Sequence, residues 1–379
     1  MIPDKKKKSR LLSLDVMRGI TIAGMILVNN PGTWSDIYAP LRHAEWHGLT
    51  PTDLVFPFFM FIMGVSTYMS LRKYDFRLSW AAVSKITRRT AVIFLIGLIL
   101  AWIGLLVGGI ASGAALIDAA LSFDHIRILG VLPRLALAYG VASLVALACR
   151  NRYLPVVAVG LLVVYSVILI FGNGFAFSED NVIAVVDRCV LGENHMYTDW
   201  VGGVRLHFDP EGLLGIIPSV AHVLIGFMVG EMLMSDGDNS RRALKVLILG
   251  TSLTFAGLLL SYGIPVNKKI WSPTFVLTTC GLASSLLGLL IYVIDVRKHA
   301  GWCRFFEVFG VNPLALYVLA TVLSIYPGWM VQGPIMESCI IPLCCGNMKL
   351  ASLVFALLFV GIIWLAGLPL YKRRIYIKI

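Results

Sequence analysis

Residues 41–64 read LRHAEWHGLTPTDLVFPFFMFIMG. Two histidines, a glutamate, a tryptophan and an aspartate lead straight into an apolar run that carries no charge from Leu54 to Leu71. Roughly 20 such residues are what an α-helix needs to cross a hydrocarbon layer about 30 Å thick. An ionisable group at the edge of that layer is costly to place, so His43, Glu45, His47 and Asp53 call for a functional reading before a bland one.

The same pattern recurs along the chain. Of 379 residues, 58% are hydrophobic and 14% charged, and the mean hydropathy is +0.83. A soluble domain carries about 25% charged residues. The apolar residues fall in ten blocks: 13–30, 53–71, 90–110, 128–149, 153–172, 213–234, 243–263, 273–294, 303–324 and 350–371. This predicts an all-α polytopic membrane protein. Its expected form is a single bundle of about ten transmembrane helices, one domain over 1–379, with loops 31–52, 173–212 and 325–349 elaborated on the outer side.

The net charge of +11 has to be read by location. If the KKKKSR start (5–10) is cytoplasmic, 24 of the 32 lysines and arginines lie on that side, seven lie opposite, and Arg134 falls within a span. Positive charge is retained in the cytoplasm, so both termini are expected there. Nucleic acid is not needed to explain the basic balance. The first apolar block holds Asp15 and Arg18 and no small-residue cleavage site, which reads as a retained helix. No N-x-[ST] sequon occurs, which fits a bacterial inner membrane. Cys189, Cys339, Cys344 and Cys345 are expected outside, where a bridge within CIIPLCC or from it to Cys189 can persist. No zinc-ligand spacing is present, and no metal is expected.

With that orientation, five segments bring polar groups to the outer face. Asn29 and Asn30 end the first span, and His43, Glu45, Trp46 and His47 follow in the loop. Asp53 opens the second span, and Arg134 lies about two turns inside the fourth. Asp209 and Glu211, in HFDPEG, precede the sixth span; Asn267, Lys268, Lys269 and Trp271 precede the eighth. Such convergence is what a site between helices requires. Each residue has a plainer reading. His43 and His47 are loop histidines, and Asp53 is a helix cap in competition with Thr50 and Thr52. Asp209-Pro210-Glu211-Gly212 is a helix start. Only Arg134 resists one, because a guanidinium inside a span must face a partner or a wet cavity. His222 and Glu231, in the sixth span, share that argument, Glu231 less so because it nears the interface.

On the inner side Asp15 and Arg18 stand three apart on one helical face and can pair, either as a neutralised couple or as part of an anion contact. The basic residues of 72–89 suit a polyanionic cofactor or anionic lipid headgroups. No phosphate-binding loop, nucleophile elbow, H-E-x-x-H or dinucleotide glycine pattern occurs. Histidine-centred chemistry or transport remains.

At these residues the chain resembles a known family. LDVMRGITIAGMILVNN, RHAEWHGLTPTDLVFPFFMFIMG, VLPRLALAYG, FDPEGLLGIIPS, VNKKIWSPTFVL and FGVNPLALYVL look like successive motifs of the transmembrane heparan-α-glucosaminide N-acetyltransferases and their bacterial relatives. The resemblance implies acetyl transfer from cytosolic acetyl-CoA, as co-substrate, to the amino group of a glucosamine or terminal glucosaminide on the periplasmic side. It places the family's histidine on His43, its asparagine on Asn29 with Asn30 as the alternative, and its aspartate on Asp53. In that frame Asp209, Glu211, Trp46 and Asn30 are assigned to the acceptor, and Arg134, Lys268, Asn267 and Arg18 to the cofactor. Glu45 and His47 stand where the animal enzyme has small or amide residues. Expected partners are an amino-sugar or glycan acceptor and membrane lipid, with a homodimer as the candidate assembly. An amino-sugar transporter and an O-acyltransferase of envelope glycans are the competing readings.

Overall fold

The computed structural model describes residues 11–201, 204–235, 237–325 and 328–377. The lysine run at 5–8 lies outside the described residues. The helices are α1 Leu12–Asn29, α2 Val55–Leu71, α3 Trp80–Ala111, α4 Leu116–Leu121, α5 Val131–Ala148, α6 Leu154–Phe171, α7 Val182–Leu191 and α8 Ile216–Ser235. They continue with α9 Asn239–Leu260, α10 Pro273–Leu290, α11 Cys303–Val311, α12 Pro313–Ile325, α13 Gly328–Ile335, α14 Ile341–Leu343 and α15 Met348–Lys372. Polar caps fix several starts: the side chains of Ser79, Asp238, Ser272 and Asn347 accept backbone N–H groups of α3, α9, α10 and α15, which satisfies donors a helix leaves orphaned.

Among the described residues, nine helical segments are long and apolar enough to cross a membrane, and α11 with α12 forms a tenth candidate bent by 84°. The span expected at 303–324 is therefore broken. Pro313 has no N–H to donate and restricts the residue before it, so the helix stops at Asn312. The Asn312 amide, off the helix, donates to Ile375 O and accepts from Ile377 N, both at 2.8 Å, and ties the tail across the break. The long outer loops also carry structure. Residues 173–212 hold α7 and a hairpin, β1 Thr198–Val201 paired antiparallel with β2 Val204–His207, an exception to the all-α expectation. Residues 325–349 hold α13 and α14.

α2 and α8 form the centre. A Cβ on Gly64 would fall 2.2 Å from Val223 O, and one on Gly226 would fall 2.2 Å from Phe61 O. The two backbones touch where neither helix has a side chain, as in small-residue packing within membranes. Around them α3, α6, α9 and α15 leave apolar side chains exposed, among them Ile99, Val156, Leu259 and Leu358. An apolar outer surface is stable in lipid and unstable in water. All four cysteines expected outside are free thiols, Cys344 buried against Met336, Ile340 and Ala351, and Cys189, Cys339 and Cys345 exposed. The bridge the spacing allows is not formed.

Candidate active site

A cavity of about 510 Å3 opens at the end of the bundle opposite Leu12 and Ile377, lined among others by Asn29, His43, Glu45, Arg127, Tyr197, Asp199, Glu211, Lys268 and Lys269. The loop from Leu41 to Thr50 builds its first wall. Thr50 caps the turn Pro51–Leu54 and Asp53 reciprocates, accepting from Thr50 N at 3.0 Å and Thr50 Oγ1 at 2.9 Å with Oδ2. The same oxygen takes Ala44 N at 3.1 Å. Oδ1 is left for His43, whose Nδ1 lies 2.7 Å away. Two acceptors do not approach that closely without a proton between them, so Nδ1–H donates to Asp53. Capping and orienting are thus both done by Asp53, one oxygen each. It is buried, while the His43 side chain is 43% exposed.

The opposite wall is the segment before α8. Arg127 donates through Nε to Asp209 Oδ2 at 2.9 Å and through Nη2 to Asp209 Oδ1 at 2.6 Å and to Glu211 Oε2. Its guanidinium also lies 4.9 Å from the centre of the Tyr197 ring. Asp209 is fully buried and takes Tyr197 N and Glu211 N as well, so it is saturated by protein. Glu211 lines the cavity. Burial works to raise its carboxyl, but the charges of Arg127, Arg134 and Lys268 outweigh burial and hold it below the ordinary range. Behind this segment sits Asp187 of α7, which accepts Leu213 N at 2.7 Å; burial, helped by the charge of Asp209, pushes it up to about 7.

Lys268, Lys269 and Trp271 close the third side. Lys269 pairs with Asp199 of β1 at 2.6 Å. Lys268 Nζ stands 2.9 Å from His43 Nδ1, 3.3 Å from His43 Nε2 and 3.5 Å from Asp53 Oδ1. Burial pushes its ammonium down, against the pull of Asp53 and Glu211.

The structure brings together Asn29, His43, Asp53, Glu211 and Lys268, and separates other expected residues. Asn30 donates its amide to Ile26 O at 2.7 Å, on its own helix. Trp46 stacks on Phe177 at 4.4 Å and donates to Phe175 O, away from the cavity. Asn267 is buried, accepting Ile270 N and facing His47 Nδ1, where it braces two loops. Arg134 sits one turn into α5 rather than two and is fully buried. It donates to Ser219 Oγ, Pro210 O and Gly215 O and covers the Trp271 ring at 4.4 Å. A Cβ on Gly215 would fall 2.5 Å from Arg134 Nη2, so the glycine makes room for the clamp. His222 is buried beside Trp271, and Glu231 accepts from Asn151. Arg127, Tyr197 and Asp199 were not singled out from the sequence. A lone arginine in the outer loop DHIRILG was the available signal for Arg127.

Arg18 lies at the other end. It donates to Asp15 Oδ1 at 3.1 Å, Gly310 O and Ser66 Oγ, and lines a second cavity of about 390 Å3 with Lys85, Arg89 and Ile377. Among the described residues, three cations and no carboxylate line it. Its upper wall includes Phe59 and Leu132; the floor of the first cavity includes Val55 and Val131. One helical turn of α2 separates the two.

The model of the family described as heparan-alpha-glucosaminide N-acetyltransferase, catalytic, matches residues 10–264. The human heparan-alpha-glucosaminide N-acetyltransferase is 29% identical over 365 residues, 82% of this chain and 52% of its own length. The mouse protein of the same name is 28% identical over 380 residues, 86% of this chain and 55% of its own. The chain thus spans about half the length of these relatives. On the extent of that match, the chain belongs to the heparan-alpha-glucosaminide N-acetyltransferase catalytic family.

Proposed function

We propose that this protein acetylates an amino sugar across a membrane, taking the acetyl group from acetyl-CoA at the end that bears the termini and delivering it to the amine of a glucosamine or terminal glucosaminide at the His43 end. The positive-inside bias supports a cytoplasmic face at the first end; in this reading the membrane is a bacterial inner membrane and the second end is periplasmic. The observation that carries the reading is the His43–Asp53 pair, 2.7 Å apart, on the wall of a cavity lined by Glu45, Asp199 and Glu211.

A sugar amine arrives largely as ammonium, and Glu45, Asp199 and Glu211 are the carboxylates the cavity offers it. It must lose a proton before it can attack a thioester. That first proton goes to solvent; His43 Nε2 takes the second as the C–N bond forms, and Asp53 stabilises the imidazolium. The amine forms its bond to the carbonyl carbon, the Asn29 amide donates to the oxygen that gains charge, and the C–S bond breaks. His43 returns the proton to the leaving thiolate. The arginines and lysine of the second cavity suit the phosphates of the donor, and the thin partition between the cavities is where its pantetheine arm would pass.

The test uses purified protein with labelled acetyl-CoA and either glucosamine or its N-blocked analogue. N-acetylglucosamine from the first and nothing from the second supports the reading. Acetylation of the blocked sugar would make the enzyme an O-acyltransferase instead.

A further inference from the structure

A third cavity, of about 410 Å3, lies beside the first and shares part of its lining. Gly97, Gly104 and Leu105 of α3, Leu132 of α5, and Tyr317 and Thr321 of α12 form its walls. Arg127 and Val131 line both cavities. The depth of this groove decides what can fill it. Arg88 and Arg89 are the last charges of α3, and none follows from Thr90 to Ala111. At 1.5 Å per residue Leu105 stands about 9 Å below Ala111, and Gly97 about 12 Å deeper. The following segment descends along the same helix. Trp102 Nε1 donates to Ala120 O at 2.9 Å, and a Cβ on Gly97 would fall 2.4 Å from Pro133 Cδ. Arg127 lies between those two points of the chain, so it is carried down beside the apolar stretch of α3.

The surroundings are apolar as well. Leu116, Ile117, Leu121 and Phe123 of the descending segment are exposed, a surface that is stable against lipid and costly against water. Thr321 Oγ1 is bound to Tyr317 O on its own helix. The ionisable groups of the lining, His125 and Arg127, both come from the loop before α5. The groove is thus apolar along α3 and polar where it meets the His43 cavity. A second protein helix does not fit it: a cylinder about 10 Å across and 12 Å long needs roughly twice its volume. A hydrocarbon tail does fit, and can enter without leaving the lipid.

We propose that the acceptor is an amino sugar borne on a lipid, its tail lying in the groove between α3, α5 and α12 and its sugar entering the His43 cavity past Arg127. Glu211, which Arg127 holds at that shared edge, then meets the ammonium or hydroxyls of the sugar. The proposal rests on the reading given above and narrows the acceptor to one that stays in the membrane.

The experiment sets wild type, Gly104→Phe and Leu259→Phe in lipid nanodiscs, with acetyl-CoA and either free glucosamine or dodecyl glucosaminide. A Cβ on Gly104 would meet nothing within 4 Å, so the phenyl ring occupies the groove without displacing a neighbour's backbone. Leu259 is exposed on α9, outside the groove. Wild type prefers the alkyl acceptor. Gly104→Phe lowers kcat/KM for that acceptor about tenfold and leaves the value for free glucosamine unchanged; Leu259→Phe lowers neither. No preference in wild type, or a preference that Gly104→Phe leaves intact, overturns the proposal. A second arm needs neither variant nor turnover: dodecyl glucosaminide with a diazirine at the end of its tail labels the wild type. The expected label falls on 97–105 and 317–321 and is displaced by excess unlabelled alkyl glucosaminide. Label spread over α9 and α15 and not displaced is ordinary lipid contact, and overturns the proposal even where free glucosamine is acetylated. Displaceable label in the groove, with acetylation of neither acceptor, defeats the functional reading alone.

Discussion

Asp53 divides its carboxylate between fold and chemistry. Oδ2 closes the turn that starts the second span, and Oδ1 holds His43 Nδ1 at 2.7 Å. Changing this residue should separate the two roles. Asp53→Asn keeps an oxygen for the cap and loses the charge beneath His43, so turnover falls roughly 10²–10⁴-fold with little loss of stability. Asp53→Ala removes the cap as well and costs about 1 kcal/mol more in stability. Thermal unfolding and initial rates on both variants check this. Equal stability in the two would show that the cap is idle.

Arg127 is the counter-charge of a buried carboxylate. Asp209 is fully inaccessible, so Arg127→Met leaves an unpaired buried charge and lowers stability by about 3–5 kcal/mol. The double variant Arg127→Met, Asp209→Asn recovers most of that loss. A fluorescence melting series in detergent reads both, and additive losses would contradict the pairing.

Asp187 gives the outer segment a pH dependence. Its pKa is raised from 3.8 to about 7, so between those values the folded protein holds a proton that the unfolded chain has released. Stability is therefore highest on the acid side, falls as pH rises from about 4 to 7, and is level above; the full difference is about 4 kcal/mol as an upper bound. Asp187→Asn removes this slope. Melting temperatures at pH 5 and pH 8 should differ less in the variant than in wild type, and an identical difference in both would exclude Asp187 as the source.

Lys85→Ala and Arg89→Ala remove cations from the second cavity. Each should raise KM for acetyl-CoA about tenfold, the scale of a lost charge-assisted hydrogen bond, and leave KM for glucosamine unchanged. An effect confined to glucosamine would place the donor elsewhere.

The sequence carried the spans well, because a run of some 20 apolar residues has few alternatives in a membrane. Where it misled, the cause was local. The break at Asn312-Pro313 is invisible to a hydropathy window, since both halves are apolar. The strands β1 and β2 were hidden in a loop, where Asp199 meets Lys269, 70 residues away. For the candidate site, the grouping of His43, Asp53 and Glu211 at one end of the bundle was legible from residue type beside a span. Trp46 and Asn267 find their hydrogen-bond partners on distant elements, Phe175 O and His47, which spacing in the sequence does not show. Arg134 drew attention for a sound reason, a charge inside a span. Its partners are backbone carbonyls of the Asp209 segment and a serine of α8, which no spacing rule announces.

The central claim, acetyl transfer across the membrane through His43, is tested most directly in sealed, oriented vesicles with labelled acetyl-CoA on the face of the termini and glucosamine on the other. The account predicts N-acetylglucosamine only on the glucosamine side, and its loss in His43→Ala. Glucosamine crossing unmodified without acetyl-CoA, or undiminished acetylation by His43→Ala, would contradict it.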